Sequence, residues 1–313
     1  MIDTLQLPAA VRAALAPAAD LPAALAWTRQ LTHSHYENFS VVSLLLPRHL
    51  HQDFCNVYAF CRIADDLGDE LHDPARSLDE LARLAEQTHA CFAAKADSNL
   101  FVALADSVAR HHLPITPFLD LIDAFAQDQR VTRYDTFAQL LDYCRRSADP
   151  VGRLVLHLCD YHDQQRQQLS DQTCTALQLA NFWQDVRRDL RERDRIYVPR
   201  ESMDRFGLSE AELRRQVDEA RAGEAFRNLL HSEVDRTAEM FTRGDALLEL
   251  LRPPVRRQIA LFGRGGRAVL AAIRHQNYDT LCRRPSLSRW QKGRLIVQTL
   301  ASHLAHCLGG GGT

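Results

Sequence analysis

Gln178-Leu179-Ala180-Asn181-Phe182-Trp183-Gln184-Asp185-Val186-Arg187-Arg188-Asp189 is the stretch whose reading decides the fold. At about 100° per residue on a helix, Gln178, Asn181, Asp185 and Asp189 form one polar stripe. Leu179, Phe182, Trp183 and Val186 supply apolar neighbours, so this helix is not a plain solvated face. Arg187, Arg188, Arg191, Arg193 and Arg195 follow.

A second acidic segment lies upstream: Tyr58-Ala59-Phe60-Cys61-Arg62-Ile63-Ala64-Asp65-Asp66-Leu67-Gly68-Asp69-Glu70. Tyr58, Arg62, Asp65 and Asp69 share one helical face, while Asp66 is rotated about 100° from Asp65. Like charges at i and i+4 cost about 0.2–0.5 kcal/mol even on an exposed helix. A chain that accepts this cost beside apolar residues points to a bound cation. Mg²⁺ takes hard oxygen ligands, often one or two carboxylates plus a substrate phosphate. A diphosphate held between two carboxylate faces through such ions becomes a better leaving group, because the metal neutralises developing charge. Arginine and tyrosine can bind the remaining phosphate oxygens. On spacing alone, solvated acidic surface competes with this interpretation.

Helical periodicity continues outward from these segments. It predicts helices at 22–34, 37–46, 48–71, 77–96, 99–112, 116–130, 136–166, 170–193, 209–221, 223–251, 254–280 and 288–307. The breaks fall at Pro47, Asp73-Pro74, Pro114, Pro117, Pro199, Gly207 and Pro253-Pro254. No series of alternating strands appears, so the fold class is all-α. Residues 21–308 read as one helical domain, after an irregular lead-in over 1–20 and before a flexible tail over 309–313.

The 313 residues are 46% hydrophobic and 25% charged, enough for a sizeable core under a charged shell. A formal charge of −2 argues against a nucleic-acid binder, which carries a basic surplus. The cysteines, Cys55, Cys61, Cys91, Cys144, Cys159, Cys174, Cys282 and Cys307, form no CxxC pair and no zinc-spaced set. They read as small buried hydrophobes in a reducing, cytoplasmic setting. No signal peptide is evident, and no run of 18 apolar residues exists; the best short one, Val41 to Leu46, stops at Pro47. The expectation is a cytoplasmic protein whose only membrane contact is transient and peripheral, at the inner face. His111-His112 reads as helix-end surface. Gly263-Arg264-Gly265-Gly266 lacks the preceding strand of a dinucleotide fingerprint and reads as a turn, so no NADPH is expected.

Taken together, the motifs resemble those of squalene and phytoene synthases over about residues 30–285. The Tyr58–Asp69 segment resembles their first aspartate-rich signature. Leu177–Asp189, followed by Arg195-Ile196-Tyr197-Val198-Pro199, resembles the second. Tyr143-Cys144, then Val151-Gly152, resembles the motif between them. Asn38-Phe39 with Leu45-Leu46-Pro47, and Tyr278-Asp279 with Arg283-Arg284, resemble the flanking substrate-binding segments. The resemblance implies an all-α isoprenoid-synthase fold with a central cavity, an isoprenoid diphosphate substrate and Mg²⁺, with Mn²⁺ as the substitute ion. It implies metal binding at Asp65, Asp69, Asp185 and Asp189, with Asn181 and Gln178 supporting the second set. It implies diphosphate contacts from His35, Asn38, Arg62, Arg195 and Tyr278. Tyr58 and Tyr143 would line the cavity near the reacting carbons, and Phe39, Val151 and Gly152 would flank the hydrocarbon.

Within the family, His35-Tyr36-Glu37-Asn38-Phe39-Ser40-Val41 and Asn181-Phe182-Trp183-Gln184-Asp185-Val186 are similar to hydroxysqualene synthases of bacterial hopanoid gene clusters. Typical head-to-head synthases carry Ser or Thr at the position of Asn38. They usually have an aliphatic-Leu-Arg run where Phe182-Trp183-Gln184 stands. The implied reaction is presqualene diphosphate plus water giving hydroxysqualene plus diphosphate, with neighbouring pathway enzymes as partners. The alternatives are head-to-head condensation of two prenyl diphosphates, and a catalytically silent lipid-binding assembly protein.

Overall fold

A computed structural model describes residues 7–34 and 47–286, and every regular element among them is helical. The expected helices at 37–46 and 288–307 lie outside the described residues, as do His35, Asn38 and Phe39. The chain groups into two compact units.

The first unit comprises residues 1–131 and 150–167. It contains α1 (Ala9–Leu15), α2 (Leu21–Ser34), a 3-10 turn (Arg48–Leu50), α3 (His51–Asp69), α4 (Pro74–Phe92), α5 (Asn99–His111) and α6 (Thr116–Asp128). Helix α4 starts where Pro74 supplies a preset φ and the Asp73 carboxylate accepts from the Ala75 and Arg76 amides, at 3.1 and 3.2 Å. Helix α3 lies in the core. Phe60 is fully buried and meets Phe118 edge to face, with ring centroids 4.9 Å apart. On its polar side, fully buried Asp53 accepts from Ser107 Oγ at 2.7 Å and from both Arg110 terminal nitrogens at 2.6 and 3.1 Å. Asn56 donates to Ser107 Oγ and the Ala103 carbonyl, at 2.9 Å each. These directional bonds set the register of α3 against α5, and with it where Asp65 and Asp69 emerge.

Two expectations change in this unit. The stretch expected to be an irregular lead-in contains α1, whose Val11 and Ala14 are fully buried. Backbone bonds from Ala18 N to Asp97 O (2.8 Å) and from Asn99 N to Ala16 O (3.0 Å) tie its end down. His111 is not free helix-end surface: its side chain is 12% exposed, and Nε2 lies 3.1 Å from Asp53 Oδ2. Its neighbour His112 is exposed and closes α5 in the left-handed conformation.

The second unit comprises residues 132–149 and 168–313. The helix expected over 136–166 divides into α7 (Phe137–Ser147), in this unit, and α8 (Asp149–Leu158), which from Pro150 on belongs to the first unit, with a loop before the next helix. Pro150 explains the break, because proline cannot donate within a helix and favours a first turn. A Thr136/Gln139 capping box opens α7. Then come α9 (Gln164–Arg193), α10 (Arg200–Arg205), α11 (Glu210–Asp218), α12 (Glu224–Gly244) and α13 (Pro253–His275). The short α10 was not expected; it begins directly after Pro199. Trp183 of α9 is fully buried and donates its indole N–H to Thr237 of α12 at 2.8 Å.

The glycine run 263–266 is not a turn. It lies inside α13, where a Cβ on Gly266 would overlap the Phe241 ring and stand 2.8 Å from Leu177 Cδ2. Glycine permits close helix packing here, not a phosphate-cradling loop. No helix among the described residues is long and apolar enough to cross a membrane.

Candidate active site

Helix α3 presents its acids in two environments. The Asp65 side chain is 42% exposed, whereas that of Asp66 is 4% exposed. Arg62, one turn earlier, lies 3.4 Å from Asp65 and 3.1 Å from Glu70, and makes its closest contact with Asp66. The guanidinium expected on a diphosphate is therefore held by three acids of its own helix. Asp69 is partly buried at the last turn. Tyr58 is partly buried on the same helix, and burial raises its phenol pKa. Burial, and then the Asp65 charge, push the Cys61 thiol up to about 12, which leaves it a neutral packing group.

Helix α9 carries the second pair. Asp185 accepts from two nitrogens along one guanidinium edge of Arg284: Nε makes the closer contact, and one terminal nitrogen sits 2.8 Å from Oδ2. That same nitrogen donates to Gln184 Oε1 at 3.2 Å, and buried Gln184 donates to the Pro285 carbonyl. Asp189, one turn on, has its carboxyl pKa raised to about 7, first by burial and then by the Asp185 charge; Arg193, Arg195 and Arg188 oppose the shift. Arg195 is buried and donates its backbone N–H to the Asp189 carbonyl at 3.0 Å. Along the stripe, Gln178 is partly buried and Asn181 is exposed. Gln184, Asp185, Arg187, Arg188, Arg191, Glu192, Thr280 and Arg284 line a cavity of about 510 Å³.

The loop after α9 is clamped by ion pairs. Arg133 reaches Asp194 at 3.0 Å and Glu210 at 2.9 Å; Arg214 reaches the same two acids at 2.5 and 2.8 Å. Both acids are held below their usual pKa by these guanidinium hydrogen bonds. The clamp fixes Tyr197 in a buried aromatic group. Its ring stacks on Phe182 at 3.8 Å, with Tyr143 and Tyr134 each 5.9 Å away. Tyr143 thus joins α9 through an aromatic face. On α8, Gly152 is buried and Val151 is 40% exposed. Tyr278 has φ of +58° and stacks on His231 at 4.8 Å.

Among the described residues no three His, Cys, Asp or Glu side chains form a ready metal cluster; the aspartates stand as one pair per helix. The donor set still suits Mg²⁺. It consists of carboxylate oxygens, and at Asp189 a partly buried carboxyl, its pKa raised by burial and by a second acid, would be relieved by a cation. The sequence placed Arg283-Arg284 only in a flanking substrate-binding segment, and the contact of Arg284 with Asp185 was not legible in it. The only signal was the Arg283-Arg284 pair after Tyr278-Asp279, and no local period links position 284 to position 185.

Comparison with known proteins gives the family. Residues 32–291 match the family described as squalene/phytoene synthase. A hydroxysqualene synthase of Zymomonas mobilis subsp. mobilis is 37% identical over 183 residues, covering 57% of this chain and 60% of that protein, so the match spans less than two thirds of that relative. A 15-cis-phytoene synthase of Synechococcus elongatus is 29% identical over 276 residues, covering 84% of this chain and 88% of that protein. The crystal structure of squalene synthase HpnC from Alicyclobacillus acidocaldarius superposes with a TM-score of 0.76 at 46% identity, covering 87% of this chain and 97% of that one. The fold is that of isoprenoid synthases.

Proposed function

Because the chain belongs to the squalene/phytoene synthase family, we propose that it ionises presqualene diphosphate with Mg²⁺ and hands water to the resulting cation, releasing hydroxysqualene and diphosphate. The observation that carries the ionisation half is the pair of oxygen-only, i,i+4 aspartate sets, Asp65/Asp69 on α3 and Asp185/Asp189 on α9, each with an arginine at its edge. Each pair would hold metal. When bound, Mg²⁺ neutralises the charge that develops on the departing diphosphate.

The remaining steps belong to the chain's own side chains. Arg195, buried beside Asp189, adds fixed positive charge near the leaving group. Phe182, Tyr143, Tyr134 and Tyr197 offer π faces and no nucleophile stronger than a phenol, so a carbocation near them is stabilised without being trapped. Water as the quencher is supported by the 37% identity to a hydroxysqualene synthase and by the resemblance of the Asn181–Val186 segment to that branch. The one glycine run that resembles part of a dinucleotide fingerprint is packed inside α13. A second reading, head-to-head condensation of two prenyl diphosphates, is favoured by the 46% identity to a protein named as a squalene synthase.

One experiment separates the two. The purified protein is incubated with presqualene diphosphate or farnesyl diphosphate, with Mg²⁺ or EDTA, with and without NADPH, and products are identified by mass spectrometry. We expect hydroxysqualene from presqualene diphosphate without NADPH, and no turnover in EDTA. Efficient conversion of farnesyl diphosphate alone to a C30 product would replace this reading with the second.

A further inference from the structure

Arg284 is bound to an acid that the proposed chemistry needs for a metal. Its guanidinium engages both oxygens of Asp185, and the two residues are 99 apart in sequence. A carboxylate filled on both oxygens by a planar guanidinium has no convenient position left for a cation. Arginine does not deprotonate, so the contact breaks only by movement of the side chain. The arrangement permits that movement. The Arg284 side chain is 51% exposed, against 15% for Asp185, and it follows the end of α13 on a non-helical segment next to Pro285.

The surroundings say where the guanidinium would go. The 510 Å³ cavity at this site is lined by Arg187, Arg188, Arg191 and Arg284 against Asp185 and Glu192, and Arg188 is paired with Glu192 at 3.0 Å. Once a metal takes Asp185, the cavity holds an arginine excess with one fewer acid to balance it. Such a surface selects a polyanion of the diphosphate class.

We propose that Arg284 is an exchangeable counter-ion: it occupies Asp185 in the ligand-free protein and transfers to a diphosphate oxygen when the metal binds. Gln184, hydrogen-bonded to both Arg284 and the Pro285 carbonyl, then serves as the hinge-side anchor that keeps the segment close through the exchange. Arg284 thereby opposes metal binding in the absence of diphosphate and favours it in its presence, so metal and diphosphate bind cooperatively. The proposal rests on the diphosphate reading above.

The test measures binding without turnover. Isothermal titration calorimetry follows Mg²⁺ into metal-free protein, and then inorganic diphosphate into protein saturated with Mg²⁺, for wild type, Arg284→Gln and Arg284→Lys. Loss of the competing guanidinium should tighten Mg²⁺ binding of R284Q by about three- to tenfold, while loss of its charged hydrogen bonds should weaken diphosphate binding about tenfold or more. R284K keeps a charge but not the two-pronged geometry. It should tighten Mg²⁺ binding less than R284Q and recover only part of the diphosphate affinity. Circular dichroism checks the fold of each variant, and R284K carries the test alone if R284Q is unfolded. Wild type that binds neither Mg²⁺ nor diphosphate overturns the functional reading and the exchange together. Wild type that binds both, with variants no tighter for Mg²⁺ or no weaker for diphosphate, overturns the exchange alone.

Discussion

Helices α3 and α9 carry the same acidic spacing and neutralise it in opposite ways. On α3 the counter-charge is local: Arg62 pairs with Asp65 and Asp66 one turn on and with Glu70 at the helix end, eight residues away. On α9 the residue that holds Asp185 is distant, since it is Arg284. A local pair forms as soon as its helix forms and is written into the residue spacing. A distant pair forms only when the chain folds back, and it can be undone without disturbing the helix. The α3 acids therefore behave as a pre-formed edge, and the α9 acids as an edge with a removable cover.

The largest expected effect tests what the two edges share. Asp65→Asn and Asp185→Asn each delete a proposed metal-ligating charge at nearly constant volume. Each should lower kcat/KM at least about a thousandfold, roughly 4 kcal/mol, with helical circular dichroism unchanged. If one variant keeps wild-type turnover, the symmetry between the edges is broken and that acid is structural.

A smaller effect separates the edges by pH. Asp189 has a carboxyl pKa raised to about 7, against an ordinary value near 4. Between these values the folded protein binds more protons than the unfolded chain, so metal-free stability should fall as pH rises from about 4 to about 7. Asp189→Asn should flatten that slope. Metal competes with the same proton, so Mg²⁺ affinity should weaken by up to about tenfold per unit as pH drops below about 7. Thermal melts at pH 5, 6, 7 and 8, with and without Mg²⁺, read both effects. Equal slopes in wild type and D189N would show that this carboxyl does not titrate in the range.

The smallest effect concerns Asp66. Its side chain is nearly buried against Arg62, which makes it a structural acid beside the proposed metal ligand Asp65. Asp66→Asn should cost about 1–2 kcal/mol of stability, less than a fully buried pair because Arg62 remains partly exposed, and should change kcat/KM far less than D65N. Urea denaturation and steady-state kinetics on both variants decide this. A D66N variant as inactive as D65N would move Asp66 into the chemistry and end the distinction between adjacent positions.

These differences follow how far apart in the chain the interacting residues lie. Helix existence was legible because 3.6-residue periodicity is a local property: α2, α5 and α6 stand close to where the pattern puts them, and α12 starts where expected but gives way to a 3-10 stretch at Asp245–Leu250. The carboxylate pairs were legible for the same reason, since i and i+4 are neighbours on any helix. The break at Ala148 was missed because long amphipathic runs on both sides of Pro150 obscured one proline's steric effect. The helical course of 263–266 was missed because glycine in isolation signals a turn, and only the Phe241 ring and Leu177 explain why small residues are needed there.

Spacing and residue chemistry alone determined an all-helical chain with two oxygen-donor aspartate pairs and the motif set of a prenyl diphosphate enzyme, because each of these depends on residues within a few positions of one another. The tertiary structure decided which of those acids are available. Burial of Asp66 against Arg62, the raised pKa of Asp189, the clamp of Arg133 and Arg214 on Asp194 and Glu210, and the capture of Asp185 by Arg284 all depend on packing or on side chains brought together. Desolvation and long-range pairing have no period in a sequence, since both are set by what the folded chain places alongside.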